Sequence, residues 1–154
     1  MEQQELLIKM IIQAWAGVVG RTTKLISHLT DEELNHQVAP DRSTGIFILS
    51  HITKGSDKMR DILFLGDRIF PDLDEKTVMS PAEWRDAWSK VNDTLLEQLQ
   101  AVPVADWFKR HASMTDEDLV ADPGRNRLSV LLTRMNHLSY HLGQLVLINP
   151  ASTK

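Results

Sequence analysis

Apolar residues recur at three- and four-residue intervals along four separate stretches. Between those stretches no alternating strand of convincing length appears. Helices packed on helices are therefore what this chain can bury. In the first stretch, about residues 3–29, Leu7, Ile11, Ala14, Val18, Leu25 and Leu29 share one helical face, with Trp15 and Ile26 beside it. The second, about residues 44–65, presents Phe47, Ile48, Ile52, Gly55, Met59 and Ile62, with Ser43 as its cap and Gly66 as its stop. The third opens on Ser80-Pro81-Ala82-Glu83, a capping box with proline at the first helical position, and carries Trp84, Trp88, Val91, Leu95, Leu99 and Val102 up to Pro103. The fourth, about residues 126–148, turns Leu128, Leu131, Leu132, Met135, Leu138, Leu142 and Leu145 inward and closes at Asn149-Pro150. Four such helices predict an all-α four-helix bundle, a single domain over residues 1–150. The connectors, one of them acidic with Asp67, Pro71, Asp72, Asp74 and Glu75, are long enough to leave crossover topologies open. The segment 104–127 is read as a short helical turn followed by a turn at Asp122-Pro123-Gly124.

Composition removes several function classes. With 154 residues the chain can bury a core without staples, and it has no cysteine. Disulfides, thiolate metal sites and a cysteine nucleophile are excluded together. Net charge is −4, with 17 basic and 21 acidic residues and no basic arm, so nucleic-acid binding has no electrostatic footprint. The Met1-Glu2-Gln3-Gln4-Glu5 start is too acidic for a signal peptide, and the apolar run 6–19, broken by Lys9 and Gln13, is short of the roughly 20 residues of a membrane span. A cytoplasmic protein that binds neither nucleic acid nor membrane is expected.

Two places in the chain echo each other. Thr30-Asp31-Glu32-Glu33-Leu34 recurs as Thr115-Asp116-Glu117-Asp118-Leu119. Each copy is followed by a proline, Pro40 or Pro123, and then by a long helix in which Ser43 falls on Ser129, Leu49 on Met135 and His51 on His137. Two related helix pairs would explain this. So would convergence, because Thr-Asp-Glu-Glu is a generic helix start.

Of six histidines, three form a pattern. His137 and His141 stand four residues apart, one turn along the same face, where two imidazoles can reach one ion. They flank the apolar stripe on a line with Arg134 and Gln144. His51 lies inside the apolar face of the second helix; a lone histidine there is ordinarily a hydrogen-bonded core residue, but a bundle can bring the fourth helix against it. Three neutral imidazoles suit Zn²⁺, Ni²⁺ or another first-row ion and leave a position for water or substrate. The His-Glu-x-x-His of zinc proteases is excluded, since the sequence reads His137-Leu138-Ser139-Tyr140-His141. Gln144 is a candidate to orient a ligand or bound water, and equally a solvated amide. Arg134 reads as a solvated arginine, Tyr140 as packing on another face, and His28, His36 and His111 as solvated. Trp15, Trp84 and Trp88 read as core residues, and Trp107-Phe108 as a pocket mouth or dimer interface.

At these residues the chain resembles the DinB-like family of metal-binding four-helix bundles. The shared features are His51 within Ile48-Leu49-Ser50-His51-Ile52, the His137-x-x-x-His141 pair, and His141-Leu142-Gly143-Gln144 in place of a His-x-Gly-Gln motif. Thr-Asp-Glu-Glu-Leu after the first helix fits as well, and the resemblance covers about residues 3–149. Leu142 departs from it, because relatives often carry a basic residue there. The resemblance implies an up-up-down-down bundle, a divalent metal held by His51, His137 and His141, and frequent homodimers. It also implies a small-molecule substrate, with low-molecular-weight thiols the co-substrates of thiol-dependent transferases and isomerases. Three readings follow: a metal-dependent thiol S-transferase (or, with an activated water, a hydrolase), a non-catalytic stress-associated metal-binding protein, and a helical interaction domain whose histidines are structural.

Overall fold

The structure is a computed structural model that describes residues 2–66, 68–70, 73 and 76–149. Asp67, Pro71, Asp72, Asp74 and Glu75 of the acidic connector, and Pro150, lie outside the described residues. The elements in chain order are α1 (Glu2–His28), α2 (Asp31–Leu34), α3 (Gly45–Ile62), α4 (Pro81–Ala101), a 3-10 turn (Val104–Phe108), α5 (Asp116–Ala121) and α6 (Arg127–Val146). All are helical, as the apolar spacing requires. Among the described residues no helix is long and apolar enough to cross a membrane.

Local chemistry explains most boundaries. Ser80 and Glu83 form the reciprocal capping box at the start of α4, and Pro81 sits where its missing N–H is no loss. The two echoing motifs fold alike: Thr30 with Glu33 caps α2, and Thr115 with Asp118 caps α5. Each short helix leads into one of the helices that carry His51 or His137. The cap of α3 is Thr44, whose hydroxyl accepts the Phe47 N–H, rather than the expected Ser43. Helix α3 also ends earlier than Gly66. Phe64 takes the left-handed turn with φ 56°, and the Leu65 N–H closes back on the Arg60 carbonyl. The guanidinium of Arg127, 5.2 Å from the ring, covers this strained Phe64.

Interhelical bonds fix the directions. Arg85, at the start of α4, donates to the Ile26 and Leu29 carbonyls at the end of α1, and Trp88 Nε1 donates to Thr23 Oγ1. Helices α1 and α4 are therefore antiparallel. The loop after α2 folds back through a bridge between Gln37 and Thr44, so α3 starts where α1 ends. Gly45 lies against the Leu34 backbone there, where an added Cβ would be 3.0 Å from the carbonyl oxygen, and glycine alone fits. At the far end of α3, Ala112 donates to the Ile62 carbonyl, and Gln98, late in α4, donates to that of Leu65. Helix α3 thus runs parallel to α4, and α6 returns beside it. The bundle reads up, down, down, up. The all-α four-helix architecture with long connections stands, but the expected up-up-down-down order does not. The reversal lies in the compact loop after α2, whereas the 63–80 connector is the one that recrosses the bundle. That connector is tied to α3 by Asp57, whose Oδ1 accepts the Ile69 N–H at 3.0 Å, and burial pushes its carboxyl above the usual carboxylate range.

One buried cluster joins the four long helices, with Ile8, Ile12, Trp15, Ile52, Trp84, Trp88, Leu95, Leu131 and Leu138 among its members. Helix α1 buries Ile8, Ile12, Trp15, Val18, Leu25 and Ile26, a face turned by about one position from the expected one, so that Leu7 and Ala14 are exposed. Leu132, expected inward, is 37% exposed. Trp107, expected at a pocket mouth or interface, is 1% exposed and belongs to the core. The 3-10 turn folds it inward, and Phe108 packs on the cluster beside it.

Candidate metal centre

Antiparallel packing of α3 and α6 brings together the three histidines singled out in the sequence. His51 Nε2 lies 3.2 Å from His137 Nε2, and His141 Nε2 lies 3.1 Å from the same atom. His51 is exposed, while His137 and His141 are half-buried. The expected burial of His51 in the apolar face does not occur; it sits on the edge of α3 that meets α6. Its neighbour Phe47, also expected inside, is 59% exposed and stacks parallel to the His51 ring with centroids 6.3 Å apart. Tyr140, expected as packing, is 63% exposed and meets the His141 ring edge-on at 5.2 Å. The two aromatics flank the cluster. Position alone could have drawn attention to both: Phe47 is one turn before His51, and Tyr140 one turn before Gln144.

Gln144 holds the His141 ring in place. Its Oε1 lies 2.7 Å from His141 Nδ1, and its amide nitrogen donates to the Tyr140 hydroxyl. An amide oxygen only accepts, so Nδ1 carries the proton and the Nε2 lone pair is turned toward His137. Of the two readings of Gln144, the orienting one matches this geometry.

Proton counting then shows what the cluster lacks. With His141 Nε2 unprotonated and the rings neutral, one proton at most can serve the two nitrogen–nitrogen contacts. If His137 Nε2 donates, it bonds one neighbour only; if it accepts from His51, two lone pairs face each other at His141. Partial desolvation where the ring meets α6, followed by the neighbouring histidine, Arg134 and Lys54 charges, holds His51 below the ordinary histidine range. Burial, His141, His51 and Arg134 hold His137 down in the same way. No placement of protons on the neutral rings links all three nitrogens. Metal–nitrogen bonds of about 2.0–2.1 Å place ligand atoms about 2.8–3.0 Å apart in octahedral geometry and about 3.3–3.4 Å apart in tetrahedral geometry. The observed 3.1 and 3.2 Å lie between the two. The three side chains offer ligand atoms within 4.8 Å of one another and could hold a metal ion; no carboxylate of the described residues joins them.

The remaining histidines lie outside the three-ring cluster, although His111 lines the cleft that opens from His137. His28 is exposed and bonds the Lys24 carbonyl, His36 is exposed, and His111 is half-buried with Nδ1 2.9 Å from the Ser113 hydroxyl. Arg134, read from the sequence as solvated, is half-buried beside His137 and lines a small cavity with Trp15, Gly55 and Leu138. A cleft of about 740 Å³ opens from His137 along α6 toward Arg125.

Comparison with known proteins bears on this arrangement. The sequence profile of the DinB superfamily matches residues 14–145. A crystal structure of a DinB-like protein from Bacillus cereus ATCC 10987 is similar in fold, with a TM-score of 0.71 and 23% sequence identity over 92% of this chain and 90% of that one. No curated protein matches the chain.

Proposed function

Since this chain belongs to the DinB superfamily, we propose that it is a metal-dependent enzyme of the thiol S-transferase type, with His51, His137 and His141 as its ligands. The observation that carries the reading is the set of three converging Nε2 atoms without protons enough to link them. Zinc or nickel is the proposed ion, because neutral imidazoles suit both. Three ligands, with no neighbouring carboxylate among the described residues, leave positions open on the exposed side. When bound, a divalent ion supplies Lewis acidity and lowers the pKa of a thiol presented to it.

The chain's own groups do the rest. Gln144 fixes the tautomer of His141, and the bundle fixes the two helices that carry the rings. Phe47 and Tyr140 wall the opening with apolar surface against which an electrophile can lie. In the reaction the thiol sulfur forms the bond to an electrophilic carbon, the leaving group departs with the bonding pair, and the thiol proton passes to water. A hydrolytic reading finds no carboxylate general base beside the cluster among the described residues. The proposed setting is cytoplasmic, with a homodimer as the assembly and a small-molecule thiol as the partner.

The test is metal analysis of tag-free protein purified without chelators, followed by a panel of thiols and electrophiles. About one equivalent of zinc or nickel per chain, with thiol-dependent turnover, is the expected result. Metal without turnover against any pair would favour a non-catalytic metal-binding protein. Protein that refuses both ions would leave the histidines as packing. Gln144→Leu provides a finer check. It removes the acceptor for His141 Nδ1–H and should weaken zinc affinity by about 10–100-fold, measured by competition with a chromophoric chelator.

A further inference from the structure

The cleft running from His137 along α6 has a volume, about 740 Å³, in the range of small-molecule sites, and its polar lining is uneven. Arg134 stands at the histidine end and Arg125 at the other, with the hydroxyls of Ser129 and Thr133 between them. At 1.5 Å per residue, the stretch of α6 from Ser129 to His137 is about 12 Å long. The acidic group in the lining is Asp122, and its Oδ1 accepts the Gly124 N–H. Arg134 is half-buried, yet none of the ion pairs among the described residues includes it; those pairs are Arg68–Asp61, Arg85–Asp31, Lys109–Asp106 and Arg110–Asp116. Arg125 is exposed and likewise outside them, with Asp118 and His111 the charged or titratable groups that feel its charge.

The position of Arg134 opposes the metal it would stand beside. A guanidinium that lines the same cleft as His137 raises the positive potential where a divalent ion would add two more charges. Such a charge is useful there if the incoming molecule brings an anion to it. A guanidinium fork matches an oxyanion in shape as well as in sign.

We propose that this cleft is the substrate groove and that Arg134, with Arg125 at its far end, selects a small molecule bearing an oxyanion, a carboxylate or a phosphate. The inference rests on the metal-centre reading for the position of the reactive group, but the anion contacts themselves need no metal. Arg134 is thus a specificity-determining residue, and the groove length admits a chain of several carbons between the reacting atom and the second anionic group.

The experiment uses both metal-free and zinc-loaded protein at low salt. Suberate, a dicarboxylate long enough to approach both arginines, is titrated while the arginine Nε–Hε signals are followed by NMR. The neutral 1,8-octanediol serves as control, and inorganic phosphate distinguishes the two oxyanions. Suberate or phosphate should shift the Arg134 and Arg125 signals saturably, and the diol should not. Arg134→Met should weaken binding by about tenfold or more, and Arg134→Lys should recover part of it. Equal responses to suberate and the diol, with none to phosphate, would overturn the proposal. So would anion affinity that is unchanged in both Arg134→Met and Arg125→Met. Zinc content, measured on the same samples, separates the two readings. Anion binding by protein that takes up no zinc would leave the groove standing and remove the metal centre, while zinc uptake without an anion response would do the reverse.

Discussion

Replacing His137 by alanine is expected to reduce bound zinc or nickel from about one equivalent per chain to background. His137 is the middle of the three rings, within 3.2 Å of both others. Four-ligand structural zinc sites bind with about 10–16 kcal/mol, so each ligand carries roughly 3–4 kcal/mol, and loss of one weakens binding by about two to three powers of ten. The variant should still fold, because His137 is half-buried in mid-helix and alanine is the best helix former.

The metal-free proteins provide a sharper comparison. If the three rings are structural, His137→Ala removes packing and hydrogen bonds, and the melting temperature falls. If they await a metal, it relieves nitrogen lone pairs crowded together, and metal-free stability holds or rises. Acid should separate the forms further. His51 and His137 are held below the ordinary histidine range in the fold, so the unfolded chain binds protons first as pH falls. The stability tied to these groups is complete above the unfolded value of about 6.5 and is lost as pH falls below it toward the folded values. The wild-type metal-free protein should therefore lose stability in mild acid, and His137→Ala should lose less. A melting temperature that drops in the variant with an unchanged acid profile would sink the metal reading.

How much of this was legible in the sequence depended on the kind of signal. The four long helices were, because apolar spacing and local caps such as Ser80 with Glu83 are properties of neighbouring residues. The directions of the helices were not. Connector length does not say whether a chain turns back or recrosses, and that was decided by tertiary bonds such as Arg85 to the Ile26 carbonyl. The same distinction holds at the site. His137, His141 and Gln144 lie on one helix at spacings of three and four, so their alignment could be read directly. His51 could be placed only through the echo between the two motifs and the resemblance to a family, and its exposure was misread because a helical wheel assigns a face without saying where the next helix ends. Phe47 was drawn into the core by its apolar character, although in the fold it stacks on His51 in the open. The role of Arg134 depends on what lies near it in space, the His51 and His137 rings and no paired carboxylate among the described residues, and spacing along α6 carries none of that.

Substitution of Trp88 by alanine should be the most damaging single change to the fold away from the histidines. Its ring is fully buried where α4 packs on α1, and its Nε1 donates to Thr23 Oγ1 at 2.9 Å. The change removes the largest kind of apolar side chain, leaves a cavity between two antiparallel helices, and strips Thr23 of a partner. Buried Trp-to-Ala substitutions cost about 3–5 kcal/mol, a large part of the 5–15 kcal/mol that holds a typical domain together. The melting temperature should fall by about 10–15 °C. The rings of the candidate centre stand on α3 and α6, across the bundle from the α1–α4 contact, so protein that remains folded should bind zinc with near wild-type affinity. Loss of stability together with loss of zinc affinity in the folded fraction would mean instead that α1 and α4 hold α3 and α6 in register. The three nitrogens would then be positioned by the whole core rather than by the two helices that carry them.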